Sequence, residues 1–179
     1  NKNIVLTGGH AATTAIATIE QLEKIIDKDT QIHWIGVRKA VEGKRALTLE
    51  AKILPELGVH FHNLVTGRIQ SKYTRHTLNS MAKIPAGFVH ALIVLLKLQP
   101  KVVLSFGGFA AFPVVFWSKL LGSTVIIHEQ TVAIGSSNKY SAAFADIIAI
   151  SRLSSKAYYK HKKIILTGNP ILQSITSLK

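Results

Sequence analysis

The sequence predicts an α/β fold: a parallel sheet of about seven strands with helices on both faces. Three observations carry this. Short apolar runs recur along the 179 residues, helical patterns separate them, and most runs end in glycine or polar residues. Strands joined through single helices read as βαβ units with right-handed crossovers, a Rossmann-like arrangement. The strand-like runs are 4–7, 32–36, 59–65, 102–105, 125–128, 147–150 and 164–167. In the first helix Ala15, Ile16, Ile19, Leu22 and Ile26 share one face, and Glu20 and Lys24 pair four apart on the other. Further helices are expected at 44–54, 78–98, 113–121, 136–144 and 154–159.

Composition narrows the functional classes. The length suits one domain with a substantial core. Charged residues make up only 17% of the chain, which argues against disorder. The absence of cysteine excludes a disulfide scaffold and a thiolate metal site. The chain opens on a strand-like 3–7, so no signal peptide is expected. The longest apolar run, 84–96, contains His90 and is shorter than the roughly 20 residues that a spanning helix needs.

Charge is distributed unevenly around a net +13. Seven of the nine acids (Glu20, Glu23, Asp27, Asp29, Glu42, Glu50 and Glu56) fall in the first third. Between Leu57 and His128 there is none, while Arg68, Lys72, Arg75, Lys83, Lys97, Lys101 and Lys119 lie there. Such a field suits phosphates or an anionic membrane surface. Membrane contact is expected through Arg68, Lys72, Arg75, Lys83 and Lys97 around Ile84, Phe88, Leu92 and Leu95. The alternative is that these apolar residues form the core face of an ordinary helix.

Three strand ends hold the candidate site residues. Thr7-Gly8-Gly9-His10 closes the first strand and opens a helix, where free N–H groups and the helix dipole suit an anion. Gly107 and Gly108 open a second such turn, followed by Phe109. In both places a tight strand-to-helix turn explains the glycines equally well. Val125 to Glu129 brings His128 and Glu129 to a third end, and Glu129 is the only carboxylate between Leu57 and Ala145. Its bland alternative is an ion pair or a helix cap. In open parallel sheets, ligands bind at such carboxyl ends. No HExxH or clustered Asp/His pattern is present, so no metal is expected.

These motifs, in this order, resemble those of the bacterial MurG glycosyltransferases. Thr7-Gly-Gly-His10 resembles the second half of that family's glycine loop, Trp34-Ile-Gly36 its second strand, and Val103 to Gly108 its fourth. Val125 to Gly135 matches the His-Glu-Gln segment, Ser137-Asn138 the residues just after it, and Thr167-Gly-Asn-Pro170 the exit from the domain. The sequence departs in lacking the first part of the glycine loop, in Phe109 for a tyrosine and in Thr131 for an asparagine.

The resemblance implies one half of a GT-B enzyme. Such enzymes move N-acetylglucosamine, with inversion, from UDP-N-acetylglucosamine to lipid I, making lipid II. It implies a lipid-linked sugar acceptor bound by residues 1–168, with 169–179 starting a linker. The UDP-sugar donor would bind mainly a carboxy-terminal domain in the same or a separate chain. No other cofactor is expected, and the location would be peripheral, on the cytoplasmic face of the membrane. His10 or Glu129 would accept the acceptor's proton. His10 is favoured because its ordinary pKa, about 6.5, needs little tuning. Thr7, Gly8, Gly9, Gly107, Gly108, Phe109, His128, Gln130, Thr131 and Asn138 would contact the acceptor's diphosphate or sugar, the diphosphate on the N–H groups of Gly8, Gly9 and His10. Two other readings stay open: a non-catalytic membrane-recruiting subunit of a split enzyme acting on another polyprenyl-linked sugar, and a basic nucleic-acid-binding domain. The aromatic content of 7% offers few stacking platforms, so nucleic acid is not the expected partner.

Overall fold

The computed structural model describes residues 2–9, 11–39, 46–65, 77–132, 134–160 and 163–176, without the side chains of 77–83 and 176. Seven parallel strands form one sheet in the order β3-β2-β1-β4-β5-β6-β7. They are β1 (Lys2–Thr7), β2 (Thr30–Gly36), β3 (His60–Asn63), β4 (Val102–Ser105), β5 (Thr124–Glu129), β6 (Ile147–Ile150) and β7 (Lys163–Leu166). The helices are α1 (Ala12–Leu22), α2 (Leu49–Ile53), α3 (Thr77–Leu98), α4 (Ala111–Leu120), α5 (Ser136–Ser141) and α6 (Gln173–Thr176).

The strand order reverses between β1 and β4. The first three strands step one way, then α3 carries the chain back across the sheet to the other side of β1. That reversal is the topological switch point, where a crevice opens at the carboxyl ends of an α/β sheet.

Two apolar layers sandwich β1. Leu6, Trp34, Ile32 and Phe106 pack with Ala15 and Ile19 of α1. On the opposite face Val5, Ile35 and Val103 pack with Ala91 and Leu95 of α3 and Val114 of α4. Alternate residues of β1 thus enter separate cores, as the two-residue period of a strand requires. A third cluster joins Ile127, Ile148, Ile150 and Tyr159.

Several boundaries differ from those expected. The helix expected at 44–54 is described only as α2, because the Thr48 hydroxyl accepts from the Ala51 N–H at 3.2 Å and caps it there. Its continuation, Leu54–Leu57, is a 3-10 turn closed by left-handed Gly58. The segment expected at 154–159 is 3-10 from Leu153 to Tyr158, and α5 tightens to 3-10 over Ala142–Phe144. β3 is shorter than the expected 59–65.

Three imidazoles meet at the β2–β3 edge. His33 Nδ1 lies 3.0 Å from His62 Nε2, and His60 stacks on His33 with ring centroids 5.1 Å apart. Burial first, then the neighbouring His62 and His60, lowers the His33 pKa from 6.5 to about 4. The folded state therefore needs His33 neutral, while the unfolded chain protonates near 6.5. Stability from this residue is fully present above that pH and is lost as pH falls towards 4. Urea midpoints should fall between pH 7 and pH 4.5, and His33→Leu should flatten that slope. An unchanged slope in the variant would reject the assignment.

Candidate functional site

The ends of β1 and β4 are bound to each other. Phe106 N–H donates to Thr7 O at 2.9 Å, and Gly9 N–H donates to Gly107 O at 3.0 Å. Gly108 has φ +93°, and a Cβ there would sit 2.7 Å from the Gly9 nitrogen. At Gly107, φ is +81° and a Cβ would lie 2.6 Å from Asn138 Oδ1. Gly108 lets the two turns pack backbone on backbone, and Gly107 leaves room for the Asn138 side chain.

That packing engages one of the three N–H groups expected to hold the diphosphate. The Gly9 N–H is committed to Gly107 O. The Ala11 N–H, at the start of α1, donates at 2.8 Å to Oε1 of Glu50, a buried carboxylate from α2. A side-chain carboxyl of the protein's own thus takes an N–H group at the helix start. Thr7 is also structural: it is fully buried and its hydroxyl donates to Ile35 O at 2.8 Å. Gly8 is boxed by Phe106, Trp34 and Ala11. His10 lies outside the described residues.

At the third strand end, Glu129 is 3% exposed and surrounded by donors. Oε1 accepts from the Thr131 N–H at 3.0 Å and from its hydroxyl at 2.7 Å. Oε2 accepts from Asn138 Nδ2 at 2.9 Å, Tyr159 Oη at 3.0 Å and the Gly135 N–H at 3.4 Å. Burial alone would raise the Glu129 pKa. The hydrogen bonds from Asn138, Thr131 and Tyr159 outweigh it and hold the carboxyl below its ordinary value. A carboxylate with lowered basicity and filled lone pairs is a poor proton acceptor, which argues against Glu129 as the base. Tyr159 is shifted upward, by burial first and then by the adjacent carboxylate.

Between the β4 turn and this network lies a cavity of about 270 Å³, lined by Gly107, Gly108, Glu129, Gln130, Thr131 and Asn138, together with Phe106, Gly135 and Ser137. It brings together six of the expected site residues. His128 is not among its lining residues: it is buried, and its Nε2 lies 3.0 Å from Gly168 O in the exit segment. Burial lowers its pKa, opposed by the Gly168 contact and by Glu129. Phe109 is half-buried and does not line the cavity. The sequence marked Ser137 only as the neighbour of Asn138 in the motif and gave it no role; its hydroxyl donates to Gly108 O at 2.6 Å, and the hydroxyl of Thr14, also unassigned, donates to Gln130 Oε1 at 2.9 Å. The sequence reading also missed Tyr159 and Glu50. Ser137 and Thr14 are small polar residues at helix starts, so periodicity gave them no mark. Among the described residues, no group of three His, Cys, Asp or Glu side chains is placed to hold a metal ion.

The expected membrane-contact segment needs revision. Leu95 is fully buried in the core, and Phe88 stacks edge-on against Phe112 and Phe116. Ile84 and Leu92 are half-buried, and Lys97 is exposed. Arg68, Lys72 and Arg75, and the Lys83 side chain, lie outside the described residues. The apolar stripe that α3 exposes is Val89, Ile93 and Leu96, at 58%, 45% and 51%. No described helix is long and apolar enough to cross a membrane.

The Gly108 turn supplies a direct test of this geometry. Gly108→Ala forces a left-handed alanine against the Gly9 backbone, so it should cost at least about 2 kcal/mol in chemical denaturation. A loss under about 0.5 kcal/mol would show that the two turns are not packed this way.

Comparison with known proteins agrees with this architecture. The chain is 31% identical over 171 residues to the UDP-N-acetylglucosamine–N-acetylmuramyl-(pentapeptide) pyrophosphoryl-undecaprenol N-acetylglucosamine transferase of Alkaliphilus metalliredigens, covering 94% of this chain and 44% of that protein. It is 30% identical to the same transferase of Pediococcus pentosaceus, covering 97% and 45%. The chain thus spans less than half the length of these curated relatives. In structure, it superposes on MurG of Acinetobacter baumannii with a TM-score of 0.71 at 20% identity, over 93% of this chain and 45% of that one. A UDP-GlcNAc 2-epimerase from Neisseria meningitidis gives 0.64 at 15%, over 99% and 49%, so these likenesses speak for the fold alone. The family model described as the glycosyltransferase family 28 N-terminal domain matches residues 7–150, and the chain belongs to that family.

Proposed function

We propose that this domain is the acceptor half of an inverting glycosyltransferase that moves N-acetylglucosamine from UDP-N-acetylglucosamine to lipid I, forming lipid II. The observation that carries the reading is the cavity at the carboxyl ends of β4 and β5, built from the Glu129-Gln-Thr131 segment and the Gly107-Gly108 turn in a chain matching family 28 over residues 7–150. The relatives named for this reaction extend well beyond the matched part. The UDP-sugar would therefore be held by a second domain, in the same chain or a separate one.

In this reading the acceptor sugar lies against Gly107, Gly108, Gln130 and Thr131. Its hydroxyl attacks the anomeric carbon of the donor sugar as UDP departs, and the proton passes to His10. Glu129 serves as a fixed anion that shapes the cavity. The acceptor's diphosphate lies towards the basic side of the domain, because the start of α1 already holds Glu50. Catalysis needs both halves, so residues 1–179 alone should transfer nothing. In the full-length protein, transfer of labelled N-acetylglucosamine to a soluble lipid I analogue should be measurable, and His10→Ala should lower it about a hundredfold or more. A full-length protein that transfers to no muramyl-diphosphate acceptor would overturn the reading.

The lipid-linked acceptor gives a reason for peripheral binding at the cytoplasmic face of the membrane. Val89, Ile93 and Leu96 offer apolar contact, and the acid-free basic stretch from Arg68 to Lys97 supplies attraction, each cation adding about 1 kcal/mol near an anionic surface. The domain should sediment with anionic vesicles at low salt. Sedimentation should fall at high salt, and again when Val89 and Ile93 become glutamate. Equal recovery in the supernatant with anionic and neutral vesicles would end this part of the proposal.

A further inference from the structure

We propose that Tyr159 is a positioning residue of the cavity: it fixes Glu129, and through it Asn138 and the Thr131 loop, in the arrangement that seats a neutral sugar ring. This rests on the acceptor-site reading above. The Tyr159 ring is 6% exposed and packs with Ile127, Ile148 and Ile150, so its hydroxyl is aimed by the core. That hydroxyl donates to Glu129 Oε2 at 3.0 Å. The same oxygen takes Asn138 Nδ2 at 2.9 Å, which leaves Asn138 Oδ1 facing the Gly107 backbone. One connected line of contacts therefore runs from Tyr159 through Glu129 and Asn138 to the β4 turn, and it sets the spacing of the two cavity walls.

The segment before Tyr159 grips the same loop a second time. Ser155 is fully buried, and its hydroxyl donates to Thr131 O at 2.9 Å. Glu129 Oε1 meanwhile holds the Thr131 N–H and hydroxyl. Thr131 is thus fixed from both sides of its peptide, by Glu129 in the cavity wall and by Ser155 behind it. A wall containing a held carboxylate repels phosphate oxygens and tolerates hydroxyl donors, so the ligand part that fits is a sugar ring rather than its diphosphate.

Tyr159→Phe removes one oxygen and keeps the packing. In the 179-residue domain labelled with ¹³C-glutamate, the Glu129 carboxyl should titrate below the ordinary value of about 4.3, and higher in the variant. In the full-length enzyme the KM for a soluble acceptor should rise about tenfold, with kcat within about twofold and the KM for UDP-N-acetylglucosamine unchanged. Ser155→Ala should raise the acceptor KM in the same direction, which keeps the proposal testable if Tyr159→Phe folds poorly. An unmoved Glu129 titration overturns the proposal, as does an equal fall in kcat at both substrates' saturation without a change in acceptor KM. Wild-type enzyme that transfers nothing to the muramyl acceptor would instead reject the function, while the Glu129 titration would still judge the Tyr159 contact.

Discussion

The carboxylate of Glu129 could not be buried at the end of β5 without the donors that surround it, because an unpaired buried charge costs far more than a domain's margin of stability. Its two oxygens take bonds from the Thr131 loop, from α5 and from the segment after β6. Three parts of the chain, the farthest thirty residues downstream, are thereby tied to one strand end. The cavity follows from this constraint. Asn138, turned by Glu129, lies against Gly107, and only glycine leaves room for it there.

The β1 side is organised mainly by backbone contacts. Gly9 and Gly108 touch main chain to main chain, and Glu50 satisfies the start of α1 from another helix. Two features that invite a phosphate-binding interpretation, glycines at a strand end and a helix start, here also serve the fold: the Gly9 and Ala11 N–H groups both have partners within the domain. The same residue types serve ligand approach in one protein and turn packing in another, and composition cannot separate the two.

The sheet was legible because its signals are local. Apolar runs such as Val102–Ser105 and Ile147–Ile150 need only their own sequence to be recognised, and both have the expected bounds. Glu129 stood out as the lone carboxylate in a long basic stretch. Its partners were less visible, since Tyr159 lies thirty residues away and only the crossover through α5 brings it back. α3 misled for a different reason. Its sequence is apolar on several sides, so the pattern did not say that Leu95 faces the sheet while Val89, Ile93 and Leu96 face out. Direction on a helix that is apolar nearly all round is decided by what packs against it.

The switch point has a kinetic side as well. β1 pairs with β4 through Ile4 and Val102, residues nearly a hundred positions apart, whereas β4, β5 and β6 each pair with their immediate successors. Closing so long a loop is entropically costly before any contact rewards it. The central strand's second neighbour should therefore arrive late, after the two flanking sets have formed. The bonds that tie the β4 turn to the end of β1, Phe106 N–H to Thr7 O and Gly9 N–H to Gly107 O, would then be among the last to form. A nascent chain would show two native-like flanks, each burying apolar surface, for some time before they joined.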